Sequence, residues 1–189
     1  KILQQIEHYD LSEKMIFNSI NLGTTDAELK ALADLGISNA VILAHNMSLP
    51  SADGSVLLLK QGLLEKVLQY NISNLLIDPG SLPVDTGFLS GEFFAALLLL
   101  KSHFGWPVGG APCNILESWS DLKDASLLSE MPTSFLAVLC SVNAMAFTLG
   151  ADFLFYGSLE HAPEVFASAS LTNKIIYERN HRYFGINKQ

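Results

Sequence analysis

The stretch LLIDPGSLPVD, residues 75–85, decides the fold of this chain. Its first three residues are typical of a short strand that is buried on both faces, and Asp78 follows where such a strand emerges from a core. Pro79 and Gly80 then end the strand and oppose the start of a helix. The carboxyl ends of parallel strands form the ligand-binding face in α/β folds, so Asp78 is a candidate for binding a small molecule. The alternative is that Asp78 only caps the next helix or orders the turn.

Short apolar runs alternate with segments of helical periodicity along the chain. Five runs predict strands, at residues 15–17, 40–44, 75–77, 106–114 and 151–156. Helical segments separate or follow them, at residues 24–35, 56–70, 87–104, 133–149 and 163–179. We also expect a helix at 2–9, a broken helix at 115–131 and an irregular tail from residue 180. The short connections favour parallel βαβ units.

Composition limits the classes of partner. The 189 residues are 49% hydrophobic, which is enough for the core of one domain over residues 1–189. A net charge of -8 without a basic cluster argues against nucleic acid. The longest apolar run, residues 93–100, is far shorter than the roughly 20 residues that cross a bilayer, so no membrane insertion is expected. Two cysteines provide no disulfide framework, and a reducing cytoplasm is the expected location.

Polar side chains end four successive predicted strands: Asn18, Asn46, Asp78 and Asn114. Because the carboxyl ends of parallel strands share one edge, we expect these side chains in one pocket mouth. A carboxylate accepts two N–H bonds from a ring amidine, and amides donate or accept at ring N–H and carbonyl positions. The set therefore suits a flat polar heterocycle, although a sugar would also fit and amides at strand ends also tie down loops.

The number of polar strand ends favours a barrel over a small doubly wound sheet. A closed barrel of this type has eight strands. The fold class predicted is therefore α/β, with this chain as the C-terminal part, about five βα units, of a TIM (βα)8 barrel. The N-terminal βα units are expected to be absent from this chain.

Other candidate sites are weaker. Cys113 stands next to Asn114, but no base is near it in sequence, so a small buried thiol is the interpretation we favour over a nucleophile. His45, His103 and His161 lack the spacing of metal ligands, and we predict no metal site.

Five segments resemble the corrinoid-dependent tetrahydropterin methyltransferases. They are NSIN at 18–21, AHN at 44–46, IDPGSLPV at 77–84, VGGAPCN at 108–114 and ADFLFYGSLEHAP at 151–163. The resemblance runs in order from about residue 15 to the C-terminus. That family is similar to dihydropteroate synthase in folding as a (βα)8 barrel that binds a pterin at the carboxyl ends of its strands.

The resemblance implies an enzyme that moves a methyl group between N5 of a tetrahydropterin and the cobalt of a corrinoid. The pterin is tetrahydrofolate or tetrahydromethanopterin, and the corrinoid, cobalamin, is carried on a separate protein. Asn18, Asn46, Asp78 and Asn114 are implied to bind the pterin, with Asp78 at its amidine edge. Asn114, near N5, is the implied catalytic residue, and a homodimer is also implied. A further pterin-binding Asp of the family lies on an earlier strand, so this chain alone is expected to be inactive.

Two alternatives remain open from the sequence. The first is a non-catalytic pterin-binding or scaffold subunit of a methyltransferase complex. The second is a condensing enzyme similar to dihydropteroate synthase. That family needs a Lys and an Arg at late strand ends, where this chain carries Asn114 and Gly157.

Overall fold

A computed structural model describes residues 11–87, 89–117, 119 and 132–185. The helix predicted at 2–9 and most of the broken helix predicted at 115–131 lie outside these residues. The described strands are β1 Phe17–Ile20, β2 Asn39–Leu43, β3 Asn74–Asp78, β4 Gly109–Gly110 and β5 Phe153–Leu154. The helices are α1 Asp26–Asp34, α2 Ala52–Leu58, α3 Leu64–Leu68, α4 Glu92–Phe104, α5 Pro132–Thr148 and α6 Ala162–Phe184. Short 3-10 turns lie at Ser12–Lys14, Pro112–Leu116 and Leu159–His161.

All the strand pairings are parallel. Strands β1, β2 and β3 form one ladder, and β4 pairs with β5. A single parallel bridge between Ile77 and Val108 joins the two ladders. The strands therefore follow one another in chain order, with helices between them, as in part of a (βα)8 barrel. The predicted fold class is confirmed.

The two faces of the sheet have different surroundings. One face packs against the helices and supplies much of the core, with Phe17, Ile20, Ala40, Ile42, Leu75 and Ile77. The other face carries Asn18, Val41 and Leu76, which lie side by side in the register of β1, β2 and β3. Val41 is buried at 1% exposure, Leu76 is half-buried and Asn18 is exposed, and none of the three belongs to the core cluster of the first face. In a barrel this second face lines the interior.

Local signals set several helix boundaries, of which those at Thr25 and Gly105 were predicted. Thr25 and Glu28 form a capping box at the start of α1, in which Glu28 Oε2 accepts a hydrogen bond from Thr25 N at 2.7 Å. Ser51 Oγ accepts a hydrogen bond from Gly54 N at 3.1 Å and caps α2. Gly105, with a φ of 74°, ends α4 in the left-handed conformation. In the part of the chain that is described, no helix has both the length and the apolar character needed to cross a membrane.

Two predicted strands have different limits in the structure. Strand β1 continues past Asn18 to Ile20, because Ile20 is fully buried and pairs with Ile42. Asn18 therefore lies within the strand and not at its end. The run at 106–114 forms a ladder only at Gly109–Gly110. Pro107 and Pro112, which lack an N–H, flank it and limit the pairing.

Three predicted helices also differ, and the one predicted at 87–104 begins later, at Glu92. The helix predicted at 56–70 begins earlier, at Ala52, and a π-type segment, Leu59–Leu63, interrupts it. Gly62 has a φ of 120° there, which L side chains rarely adopt. The tail from residue 180 is helical to Phe184, because the next residue with a helix-ending conformation is Gly185 at a φ of 64°.

Candidate functional site

Asp78 is the last residue of β3, and its side chain is only 8% exposed. Its Oδ1 accepts a hydrogen bond from Gly80 N at 2.7 Å, so the turn predicted at Pro79 and Gly80 folds back onto the carboxylate. Among the described residues, no donor bonds Oδ2 and no cation pairs with this carboxylate. A buried carboxylate usually has such partners. Within the described part of the chain, Oδ2 can therefore accept a hydrogen bond from a ligand.

Gly110 of β4 makes room for this carboxylate. A Cβ at this position would overlap Asp78 Oδ1 and would also press against the Phe93 ring of α4. The second glycine of the VGGAPCN segment is thus required by the position of Asp78.

Burial controls the protonation of the site. It raises the pKa of Asp78 from 3.8 to about 6, while the hydrogen bond from Gly80 opposes the change. Burial also raises the pKa of the Cys113 thiol, and the negative charges of Glu117 and Asp78 raise it further. At neutral pH the site therefore contains a carboxylate and a protonated thiol.

The loop after β3 is tied to the segment after β4. Ser81 Oγ donates a hydrogen bond to Ala111 O at 2.6 Å, and Val84 N donates one to Ile115 O at 2.8 Å. These bonds place the 3-10 turn Pro112–Leu116 beside the loop that follows Asp78. The structure thereby brings Asp78 and the segment carrying Asn114 together, as predicted.

Asn114 is half-buried in that 3-10 turn, next to Cys113. Cys113 Sγ lies 3.6 Å from Asn114 Oδ1 and 3.3 Å from Phe155 O, just past the end of β5. The favoured interpretation of Cys113 as a small buried thiol holds only in part, because the side chain is half-buried and donates a hydrogen bond to Phe155 O.

Asn18 and Asn46 have different surroundings. Asn18 is exposed and lies beside Val41 in the register of β1 and β2. Asn46 Oδ1 accepts hydrogen bonds from Ser48 N at 3.0 Å and Leu49 N at 3.2 Å, so it orders its own loop. Within the described residues, no hydrogen bond links either amide to Asp78 or Asn114. Their ligand-binding roles stay predictions.

His45 is a neighbour of the site that the sequence analysis weighed only as a metal ligand. It packs against Gly80, where a Cβ would lie 3.0 to 3.1 Å from the His45 side chain and φ is 74°. A small crevice beside the turn is lined by His45 and Gly80 together with Ser51, Ser55 and Glu92. The AHN segment at the end of a strand was the available signal. In the part of the chain that is described, no three His, Cys, Asp or Glu side chains are placed to hold a metal ion.

Known structures with a similar fold are dihydropteroate synthases. The enzyme of Yersinia pestis in complex with a pterine-sulfa conjugate superposes with a TM-score of 0.56 and 16% sequence identity, over 92% of this chain and 75% of that one. Another structure of the Yersinia pestis enzyme gives a TM-score of 0.55 and 17% identity, over 91% and 68% of the two chains. At such low identity the similarity establishes the fold alone.

Curated relatives have closer sequences. The MtrH subunit of tetrahydromethanopterin S-methyltransferase from Methanopyrus kandleri is 30% identical over 193 residues, covering 94% of this chain and 59% of that protein. The same subunit of the Methanosarcina mazei enzyme is 26% identical, covering 89% and 55%. The corresponding subunit of a putative mtx methyltransferase of Methanosarcina barkeri is 29% identical, covering 93% and 57%. The chain thus spans between 55% and 59% of the length of these relatives.

A family model covers almost the whole sequence. It is described as the tetrahydromethanopterin S-methyltransferase MtrH subunit, and it matches residues 3–189. This match confirms the resemblance seen in the five segments, and the chain belongs to the family of the tetrahydromethanopterin S-methyltransferase MtrH subunit.

Proposed function

We propose that this chain forms part of a methyltransferase site that binds a tetrahydropterin and passes the methyl group on its N5 to a corrinoid. The buried, incompletely paired carboxylate of Asp78 at the carboxyl end of β3 is the observation that carries the proposal. The names of the similar subunits favour tetrahydromethanopterin over tetrahydrofolate as the pterin. A homodimer and a cytoplasmic location stay predictions.

The surroundings of Asp78 fit one edge of a pterin ring. The ring presents an N–H and an exocyclic amino group side by side, which a carboxylate can accept. Gly80 N occupies only Oδ1, so Oδ2 is available for such a donor. An incoming pair of N–H groups would offset the cost of burying this charge, because hydrogen bonds from the ligand replace those lost from water.

Asn114 has the chemistry required at N5. When the methyl group leaves, the N5–methyl bond breaks and N5 keeps the electron pair of that bond. An amide N–H directed at N5 stabilises this developing charge more in the transition state than in the ground state. Asn114 is half-buried in the turn beside the loop of Asp78, which is consistent with this role.

The corrinoid is the methyl acceptor and is carried by a partner protein in this proposal. When bound, it supplies the nucleophilic cobalt that takes the methyl group by in-line displacement. The chain therefore needs little acid–base power and contributes mainly by binding and orienting the pterin. The similar proteins are named as subunits, which supports a function within a larger assembly.

Two measurements test the proposal on the protein at the full length of its curated relatives, because this chain alone is expected to be inactive. Calorimetry with tetrahydromethanopterin, and separately with tetrahydrofolate, measures pterin binding. A spectroscopic assay follows methylcobalamin formation from the N5-methyl pterin and reduced cobalamin. We expect binding and transfer, with higher affinity for tetrahydromethanopterin. Binding without transfer would instead support a scaffold subunit, and absence of binding to either pterin would overturn the proposal.

A further inference from the structure

We infer that Cys113 is a positioning residue that holds the side-chain amide of Asn114 with its nitrogen directed at the pterin. The inference rests on the proposed function, because it assigns Asn114 the donor role at N5. It adds a residue that the resemblance did not implicate and that the sequence indicated only as a small thiol.

The contacts of the thiol select one orientation of the amide. Cys113 Sγ lies 3.6 Å from Asn114 Oδ1, within the range of a hydrogen bond to sulfur. The structure places Oδ1, which only accepts, on the cysteine side, and a thiol proton shared with this oxygen stabilises that orientation over the flipped one. The Nδ2 group of Asn114 must then point away from Cys113. Because the thiol pKa is raised by burial, the proton that makes this bond is present at neutral pH.

Asn114 needs such a partner because little else restrains its side chain. The final torsion of Asn has a broad, two-fold energy profile, so an unrestrained amide samples both flips. Among the described residues, Cys113 is the only one found in a side-chain hydrogen bond with Asn114. An amide that is already oriented avoids losing rotational freedom when the transition state forms.

Cys113 also connects the Asn114 amide to the chain that follows β5. Its Sγ lies 3.3 Å from Phe155 O, so the thiol proton is shared between this carbonyl and the Asn114 amide oxygen. A Cβ on Gly157 would lie 3.7 Å from Cys113 Cβ, so the chain after β5 passes close to the cysteine. Phe155 N in turn donates a hydrogen bond to Gly110 O at 2.8 Å. Asn114 is therefore held relative to β4 and β5.

A double-mutant cycle on the protein tests the inference. The variants are Cys113→Ala, Asn114→Ala and the two combined, and the readouts are kcat and KM for the N5-methyl pterin with reduced cobalamin. We expect Cys113→Ala to lower kcat by about 5- to 30-fold with KM within about 2-fold. In the Asn114→Ala background the same change is expected to alter kcat by less than about 2-fold. Cys113→Ser, which keeps a donor, should restore kcat to within about 3-fold of the parent protein.

Controls separate positioning from general destabilisation. Cys140→Ala, at the second partly buried thiol, on α5, is expected to leave kcat unchanged. If Cys113→Ala does not fold, Cys113→Val removes the donor and fills the space of the sulfur, and the comparison of Cys113→Val with Cys113→Ser replaces that of the alanine variant. Equal losses of kcat from Cys113→Ala in both backgrounds, or no rescue by serine, would overturn the inference alone. If Asn114→Ala itself leaves kcat unchanged, the proposed role of Asn114 fails.

Discussion

Asp78 is the residue at which stability and binding oppose each other most directly. Its carboxylate is almost fully buried, and burial raises its pKa from 3.8 to about 6. The folded state therefore holds a proton more tightly than the unfolded state does. By linkage, the free energy of unfolding falls as pH rises from about 4 to about 6. Above this range the full destabilisation by the buried charge is present. A residue with such a cost at neutral pH is a functional candidate.

The first prediction concerns the free energy of unfolding of Asp78→Asn. The variant is neutral at every pH, and its Oδ1 still accepts the hydrogen bond from Gly80. At pH 7.5 we expect it to be more stable than the parent by up to about 3 kcal/mol, from about 2 pH units at 1.36 kcal/mol each. Near pH 4 the difference should vanish. Urea unfolding at both pH values measures this, with exposed Asp34→Asn as the control; a variant less stable at pH 7.5 would contradict the assignment.

The second prediction concerns pterin affinity. The ionised carboxylate accepts ring N–H groups, so affinity should fall as pH drops through about 6. Asp78→Asn should weaken binding by about 10- to 100-fold at pH 7.5 and remove this pH dependence. The bond is made in the ground state and the transition state alike, so kcat should change less than affinity. Calorimetry between pH 5 and 8 measures the affinity and the methyl transfer assay measures kcat; unchanged affinity would count against the site.

At the scale of elements, helix ends could be predicted from local sequence signals, and the pairing of strand residues that are distant in sequence could not. The capping box at Thr25 predicted the start of α1 and the glycine at Gly105 predicted the end of α4, because both signals act within one turn. The extension of β1 through Asn18 depends on the pairing of Ile20 with Ile42. Strand register of this kind is set by the sheet and not by the local sequence.

The candidate site shows the same division. Asp78 could be predicted, because an apolar run leads into a carboxylate and a Pro-Gly turn. Asn114 was also predicted as a polar residue at a strand end, and only its role near N5 came from the resemblance. The contact between Cys113 and Phe155 joins residues 42 positions apart, and no local pattern indicates it. The packing of His45 on Gly80 likewise needs the alignment of two strand ends.

The third prediction concerns the close approach of β3 and β4 at the site. An alanine at Gly110 would overlap Asp78 Oδ1 and the Phe93 ring, so Gly110→Ala should displace the carboxylate. We expect a loss of at least about 10-fold in pterin affinity and about 1–3 kcal/mol in stability. Gly91→Ala is the matched control, because a Cβ there meets open space. Calorimetry and thermal unfolding of both variants check this; equal affinities would show that Gly110 does not govern the site.

The fourth prediction concerns the bonds among Lys101, Asp152 and Val108, here called the clamp, which join α4 to the segments before β4 and β5. Lys101 Nζ bonds Asp152 Oδ1 at 2.8 Å and Gly150 O at 2.7 Å, while Asp152 Oδ2 accepts a hydrogen bond from Val108 N at 2.9 Å. Asp152→Ala leaves the buried Val108 N without this acceptor, so we expect a loss of about 1–3 kcal/mol. In contrast, Lys30 and Asp34 form an exposed pair within one helix.

The exposed pair is the control for the clamp. Asp34→Ala removes only a solvent-exposed ion pair, which should cost less than about 0.5 kcal/mol. Urea unfolding at low and moderate salt compares the two variants. Similar losses for both would show that the clamp contributes no more than a surface pair.

At the scale of the whole molecule, the carboxyl ends of the strands carry both the site and several exposed apolar side chains. Leu22 follows β1, Met47 and Leu49 follow β2, and Leu159 follows β5, with exposures from 44% to 82%. Single exposed apolar residues are common on protein surfaces. Their presence on several loops of the same rim matters here, because the proposed methyl acceptor must reach the pterin from that side.

The last prediction places the protein that carries the corrinoid on this rim. Met47 and Leu159 are 79% and 82% exposed, so acidic substitutions there should not disturb the core. A docked partner would have to desolvate the new carboxylates. We therefore expect Met47→Asp combined with Leu159→Asp to lower methyl transfer to the corrinoid protein by about 10-fold or more, a loss typical of interface anchors. Transfer to unbound cobalamin and pterin affinity should stay unchanged, because neither requires that contact.

Leu171→Asp, at a 60% exposed position on α6, is the control. If the double variant and the control transfer methyl to the corrinoid protein at equal rates, this docking surface is excluded. If the double variant loses activity equally with the corrinoid protein and with unbound cobalamin, the substitutions act on the pterin site itself.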